Sequence, residues 1–203
     1  MRKDFVYLAS ASPRRQALLV QIGVRFEVRI PAIDEARAPG EPPDGYVRRL
    51  AEAKAEAVWR AFAVDAARPV VAADTAVVLG ERVLGKPDGP NAALEMLEAL
   101  SGQTHRVFTA VAVRGPAGAD SAVNVSEVRF RATTDGERRA YCATGEPYDK
   151  AGGYGIQGFG AVFVERLSGS YSGVMGLPLC ETALLLGRAG VAGWWGAEGP
   201  ART

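Results

Sequence analysis

Six charged side chains have the types and placement for phosphate chemistry: the cations Arg14, Arg15, Lys54 and Lys86, and the acids Glu35 and Asp74. Asp74 stops the apolar run Val70-Val71-Ala72-Ala73, and a second β-rich run, Ala76 to Leu79, follows at once. Gly80-Glu81 reads as a two-residue hairpin loop, with glycine where a type II′ turn prefers it. A short strand, Arg82 to Leu84, returns to Gly85-Lys86-Pro87. An acid at the end of a buried strand and a lysine after the returning strand can face one cleft; a surface hairpin with solvated charges is the competing reading. Four cations can surround a polyphosphate, and two carboxylates can hold a hard divalent cation that keeps several waters. Phosphoryl chemistry asks for little more: charge neutralisation and an acid to position or deprotonate water.

These residues need elements to place them. Phe5 to Ala9 reads as a short strand, Ser10-Ala11-Ser12 as a small-residue turn and Pro13 to Ile22 as a helix, with Ser12 as N-cap and Gly23 beyond its end. A strand, a tight turn and a helix N-terminus form a natural anion site, and basic residues in that first turn suit a bound anion. Val24 to Ile33 reads as a strand leading to Asp34-Glu35. Asp44 is expected to cap a helix from Gly45 to about Ala63, with Val47, Leu50, Ala51, Val58 and Phe62 on its apolar stripe. Lys54 falls on that stripe, and spacing alone favours snorkelling to the surface over a polar cleft. Asp88 is expected to cap a helix from Gly89 to Leu100. Strands then run from Arg106 to Arg114 and from Val123 to Arg131, the second with Val125, Val128 and Phe130 alternating. Thr134 and Glu137 form a capping-box pattern for a helix from Asp135 to Ala143.

Tyr148 to Gly160 holds five glycines in thirteen residues, which allows close backbone approach to a ligand. Gln157 offers an amide donor and acceptor that can read a nucleobase edge, and Asp149-Lys150 reads as an exposed pair. A strand from Ala161 to Leu167, a glycine-rich turn with Tyr171 and a helix from Pro178 to about Leu186 follow. Gly187 to Thr203 reads as an irregular tail, docked by Trp194-Trp195.

Composition narrows the class. With 203 residues and 48% hydrophobic content, one domain with a sizeable core is expected, over residues 1–187, with a tail over residues 188–203. Lys and Arg total 24 against 23 Asp and Glu, so no global charge points to nucleic acid or a membrane surface. No apolar run reaches the length of a membrane span or a signal peptide. Cys142 and Cys180 have no metal spacing and read as reduced core thiols in a cytoplasmic protein. His105, the one histidine, reads as structural, bonding a loop. No Walker A motif, kinase motif set or Ser-His-Asp triad is present.

The motifs LASASPRR (Leu8–Arg15), Asp34-Glu35, LAEAKA around Lys54, ADT (Ala73–Thr75), GKP (Gly85–Pro87), SGQTHRVFTAV (Ser101–Val111), DKAGGYGIQG (Asp149–Gly158) and GLPL (Gly176–Leu179) together resemble the Maf family of nucleoside triphosphate pyrophosphatases, to about Leu186. The resemblance implies an α/β fold with a mixed, strongly curved sheet flanked by helices and a cleft between two lobes, similar to the inosine triphosphatase fold. It also implies a homodimer, a divalent cation (Mg, Mn or Co) and cleavage between the α- and β-phosphates. By the same resemblance Asp74 is the proton acceptor or equally a metal ligand, with Glu35. Ser10, Arg15, Lys54 and Lys86 join the phosphate shell, and Arg14, Thr75 and Gln157 match positions linked to substrate choice. SGQTH and GIQG resemble the branch acting on dTTP and UTP. The alternatives are 7-methyl-GTP or another purine triphosphate as substrate, or a nucleotide-binding regulator of septum formation.

Overall fold

The structure, a computed structural model, describes residues 5–63, 68–191 and Trp194. Part of the connection expected before Val70, and most of the tail with Trp195, lie outside the described residues; Trp194 itself is exposed. Among the described residues, four short β-strands and three long ones build one mixed seven-stranded sheet. They are β1 (Val6–Leu8), β2 (Phe26–Val28), β3 (Val70–Leu79), β4 (Arg82–Leu84), β5 (Thr104–Gly115), β6 (Gly118–Phe130) and β7 (Val164–Ser168). The order is β2-β1-β3-β5-β6-β7, with β4 paired to β3. β1 lies parallel to both β2 and β3, whereas the β3–β4 and β6–β7 pairs are antiparallel. The helices are α1 (Pro13–Gln21), α2 (Pro43–Val58), α3 (Pro90–Leu100), α4 (Asp135–Ala143), α5 (Tyr171–Met175) and α6 (Leu179–Arg188). No described helix is long and apolar enough to cross a membrane.

The chain divides into two compact units. The first comprises Met1–Asp74, Ala110–Val123 and Gly176–Thr203. Leu8, Leu18, Leu19, Leu50, Leu177 and Leu186 are all but inaccessible there. The second comprises Thr75–Thr109 and Asn124–Met175. Its core gathers Val77, Leu84, Leu97, Val107, Val128, Phe130, Tyr141, Tyr154 and Phe163. Edge-on ring pairs link Phe130 to His105 and Tyr154, and Tyr141 to Phe163.

Local signals place several elements as expected. Pro13 opens α1, and Gly23 follows its end at φ +69°. The Leu79↔Arg82 register leaves a two-residue loop with Gly80 at φ +59°, which a primed hairpin turn requires. Thr134 and Glu137 exchange both bonds of a capping box.

Other expectations are corrected. β3 is one continuous ten-residue strand with Asp74 in its interior, not at its end. The strand expected over Val24 to Ile33 shrinks to β2, and Ile30 is exposed. Neither Asp44 nor Asp88 caps its helix: α2 begins at Pro43, which puts Asp44 inside the first turn, and α3 begins at Pro90 with Gly89 in the N-cap position, one residue after Asp88. α2 gives way to a π-turn over Trp59–Ala63, and Phe62 is half exposed. Val125 lies out of step with Val128 and Phe130, an odd number of residues away, and is exposed. Part of the strand expected from Ala161 is a 3-10 turn, Phe159–Phe163, and the glycine-rich turn around Tyr171 contains α5. Cys142 is buried and Cys180 exposed, so only one is a core thiol; both are free.

Candidate active site

The first unit concentrates charge around the interior of β3. Val70 to Ala73 are buried, and Asp74 continues that buried run. Lys54 lies two turns along α2 from Val47, on the stripe that buries Leu50, Ala51 and Val58. Its Nζ donates to Asp74 Oδ1 at 2.7 Å and pairs with Glu35 Oε1 at 2.9 Å. Lys54 therefore does not snorkel. An ammonium has three donors and no acceptor, and two carboxylates satisfy it where it is buried.

Glu35 is exposed and lies in the loop before α2. That loop is fastened to α2 by side chains that sequence reading passed over. Tyr46 Oη donates to the Glu35 carbonyl at 3.1 Å, and Arg49 donates to the Ala36 carbonyl at 3.0 Å and to both Glu41 carboxylate oxygens. Asp34 turns inward on its own loop, accepting from the Ala36 N–H at 2.9 Å.

The turn before α1 is organised by Ser10. Its Oγ accepts from the Ser12 N–H at 3.2 Å and from Arg15 Nη1 at 3.2 Å, whereas the Ser12 side chain makes no cap bond. Arg15 Nε also donates to the Gly176 carbonyl at 2.8 Å, tying the first turn of α1 to a residue 161 positions later. Arg14 is half-buried beside it.

The electrostatics are those of opposed charges in a poorly solvated place. Burial pushes the Asp74 carboxyl above the usual carboxylate range, and Lys54 and Arg15 oppose that push. Burial lowers the Arg15 guanidinium; the charges of Asp74 and Glu35 work against the shift, and Arg14 adds to it. Burial, then the negative charges of Asp74 and Glu35, raise the Tyr46 phenol.

The second unit carries the remaining residues singled out from sequence. Thr75 follows Asp74 in β3, and its hydroxyl lies 3.1 Å from that of Thr109, which donates to the Gly173 carbonyl at 2.8 Å. Lys86 is exposed in the loop after β4. That loop meets the glycine-rich stretch, since the Gly152 N–H donates to the Gly85 carbonyl at 3.0 Å. Gln157 is exposed in the same stretch. Asp149 and Lys150 pair at 2.5 Å, and Lys150 also donates to the Glu146 carbonyl. His105 is buried, with Nε2 2.8 Å from Tyr154 Oη, and burial holds its imidazole down to about 4.

The glycines serve a purpose not read from sequence. A Cβ at Gly152 would meet Val77 at 2.9 Å, and one at Gly158 would meet Glu146 Oε2 at 2.1 Å. The close approach they permit here is to the protein's own side chains.

For a divalent cation the oxygen donors are Glu35 and Asp74, which already converge on one point of positive charge. Among the described residues no three His, Cys, Asp or Glu side chains cluster as a complete ligand set. The pair fits a hard cation such as Mg²⁺, which takes one or two carboxylates and completes its shell with water and phosphate oxygens.

Comparison with known proteins bears on this arrangement. The family described as Maf-like protein matches residues 5–189. A dTTP/UTP pyrophosphatase of Cupriavidus pinatubonensis (strain JMP 134) is 52% identical over 195 residues, covering 92% of this chain and 97% of that protein. A dTTP/UTP pyrophosphatase of Alkalilimnicola ehrlichii is 53% identical over 187 residues, covering 91% of this chain and 92% of its own. A third, from Aromatoleum aromaticum, is 50% identical over 195 residues, covering 89% and 93%.

Proposed function

Because the chain belongs to the Maf family, we propose that it is a nucleoside triphosphate pyrophosphatase that hydrolyses dTTP and UTP to the nucleoside monophosphate and pyrophosphate. The observation that carries the reading is the buried Lys54 ammonium held between Asp74 and Glu35. A buried ion pair is a poor source of stability, and we read this one as kept for its chemistry.

In the proposed reaction, water attacks the α-phosphorus and the bond to the bridging oxygen breaks. Its electron pair leaves on pyrophosphate, and one water proton passes to the Asp74 carboxylate. Burial makes that carboxylate a better proton acceptor than an exposed aspartate, which suits a general base. Lys54 keeps it ionised and oriented until substrate arrives. Arg15, fixed by the Gly176 carbonyl and Ser10, is pre-aimed for phosphate oxygens, which reduces the ordering cost of binding. Arg14 and Lys86 add positive charge, and Thr75 and Gln157 read the base. Glu35 and Asp74 would hold Mg²⁺, Mn²⁺ or Co²⁺, which when bound supplies charge neutralisation at the phosphate oxygens.

The test is pyrophosphate release from a panel of nucleoside triphosphates with Mg²⁺, beside the Asp74→Asn variant. We expect dTTP and UTP to be the best substrates, and Asp74→Asn to lose roughly 10²–10⁴-fold in turnover, the usual contribution of a general base. Full turnover by Asp74→Asn would remove Asp74 from the chemistry, and a purine preference would sink the pyrimidine assignment.

A further inference from the structure

The loop that carries Gln157 hangs from two side chains outside it. Tyr141, on α4, and Glu146, just after it, reach both ends of the segment from Gly155 to Gly160. Tyr141 Oη accepts from the Gly155 N–H at 3.1 Å and donates to Glu146 Oε1 at 2.9 Å. Glu146 accepts from the Phe159 N–H at 2.8 Å through Oε2 and from the Gly160 N–H at 3.1 Å through Oε1. One carboxylate and one phenol thus fix three backbone N–H groups, two after Gln157 and one before it.

The fit against this pair is tight, with Lys150 and the Gly155 backbone also close. A Cβ at Gly155 would meet Glu146 Oε1 at 2.9 Å, and one at Gly160 would meet Tyr141 Oη at 2.9 Å. Gly158 leaves even less room against Glu146. None of these three glycines has a positive φ, so their small size serves close packing, against this pair and at Gly155 also against Lys150, and not backbone freedom. The phenol is buried in the core, next to Phe163. Gln157 itself is exposed at the crest of the loop.

We propose that Tyr141 and Glu146 are positioning residues for base selection: they hold the Gly155–Gly160 loop in one conformation so that the Gln157 amide meets a pyrimidine edge pre-ordered. The inference rests on the assignment of Gln157 to base reading made above. A glutamine on a loosely held loop would pay the loop's ordering entropy at each binding event and would adapt its amide to more than one base. The clamp removes that cost beforehand, so it acts on affinity and discrimination and not on phosphoryl transfer. The carboxylate form is required, because backbone N–H groups need acceptors and a protonated or amide side chain offers fewer.

The test compares the full chain with Tyr141→Phe and Glu146→Gln. Hydrogen–deuterium exchange at the amides of Phe159 and Gly160 reports the clamp directly, without turnover. Steady-state kinetics with UTP and CTP report base discrimination. Inhibition by inorganic tripolyphosphate, which has no base, reports the phosphate site. In both variants we expect faster exchange at those amides and a KM for UTP raised about tenfold, the scale of one lost hydrogen bond. We also expect kcat within about twofold, a reduced preference for UTP over CTP and an unchanged tripolyphosphate inhibition constant. Faster exchange with unchanged KM and unchanged base preference overturns the inference while leaving the substrate assignment intact. Unchanged exchange overturns it too. If the wild type prefers another base, the pyrimidine assignment falls, and the clamp is judged by the same ratios on the preferred nucleotide.

Discussion

Lys54→Met tests the buried centre most sharply. Methionine keeps an unbranched stem and removes the ammonium 2.7 Å from Asp74, where the two side chains are only 9% and 10% exposed. Breaking a buried pair by removing one partner typically costs about 3–5 kcal/mol, because the remaining charge is uncompensated. Glu35, 57% exposed, adds little to that figure. Asp74 has one escape, which is to take up a proton. Its carboxyl is already raised by burial with Lys54 opposing the rise, so losing Lys54 raises it further. An unfolded aspartate titrates near about 3.9, so a folded variant that must keep Asp74 protonated gives up about 4 kcal/mol at pH 7 relative to the unfolded chain. The two routes to a magnitude agree. The sign of the pH dependence follows. A group whose folded pKa is raised favours the folded state at low pH, and that advantage is lost as pH rises through the folded pKa. The deficit of Lys54→Met against the wild type should therefore shrink as pH falls, by up to about 1.4 kcal/mol per unit. Urea unfolding at pH 7, 6 and 5 measures it. We expect a loss of about 3–4 kcal/mol at pH 7 and less than about 2 kcal/mol at pH 5. A loss below about 1 kcal/mol at pH 7, or one that does not change with pH, would refute the argument that the Lys54–Asp74 pair is a desolvated charge pair.

Three further outcomes are expected, two from the second unit and one from α6 in the first. His105 is held down to about 4 by burial, below its unfolded value, so the unfolded chain binds the extra proton first. Wild-type stability should fall by up to about 3 kcal/mol as pH drops from 6.5 towards 4, and His105→Phe, measured by the same unfolding series, should flatten that segment of the profile. Gly158→Ala drives a methyl group to 2.1 Å from Glu146 Oε2 and should cost about 1–3 kcal/mol by thermal unfolding. Gly187→Ala, in α6 with nothing within 4 Å of its Cβ, should gain about 0.5–1 kcal/mol in the same assay; equal effects at the two glycines would mean that packing against Glu146 does not limit the loop.

The charged centre was half legible. Ser10, Arg14, Arg15, Glu35, Lys54 and Asp74 all stand out from sequence by type and by their place in motifs. What the residues could not disclose was direction. Lys54 occupies a stripe position from which a lysine can turn outwards along its stem or inwards to a partner, and only the position of β3 beside α2 supplies that partner. Asp74 read as a strand end because an acid normally ends an apolar run, yet the strand continues through it. In the glycine-rich stretch, composition indicated a close approach, and the structure identifies what is approached as Val77, Glu146 and Tyr141.

The division follows the range of the forces. Sequence alone determined features set within about four residues: Pro13 opening α1, the Thr134–Glu137 capping box, and the two-residue turn at Gly80. Each is a bond or a dihedral restriction between neighbours, so the residues in the window suffice. Tertiary structure alone decided that Arg15 would be fixed by the Gly176 carbonyl, that Lys54 would face Asp74 across 20 residues, and that Glu146 would hold the backbone of Phe159 and Gly160. Those contacts join segments whose separation in sequence carries no information about their separation in space. A buried charge or a crowded glycine has meaning only once the group it meets has been brought to it by the packing of everything else.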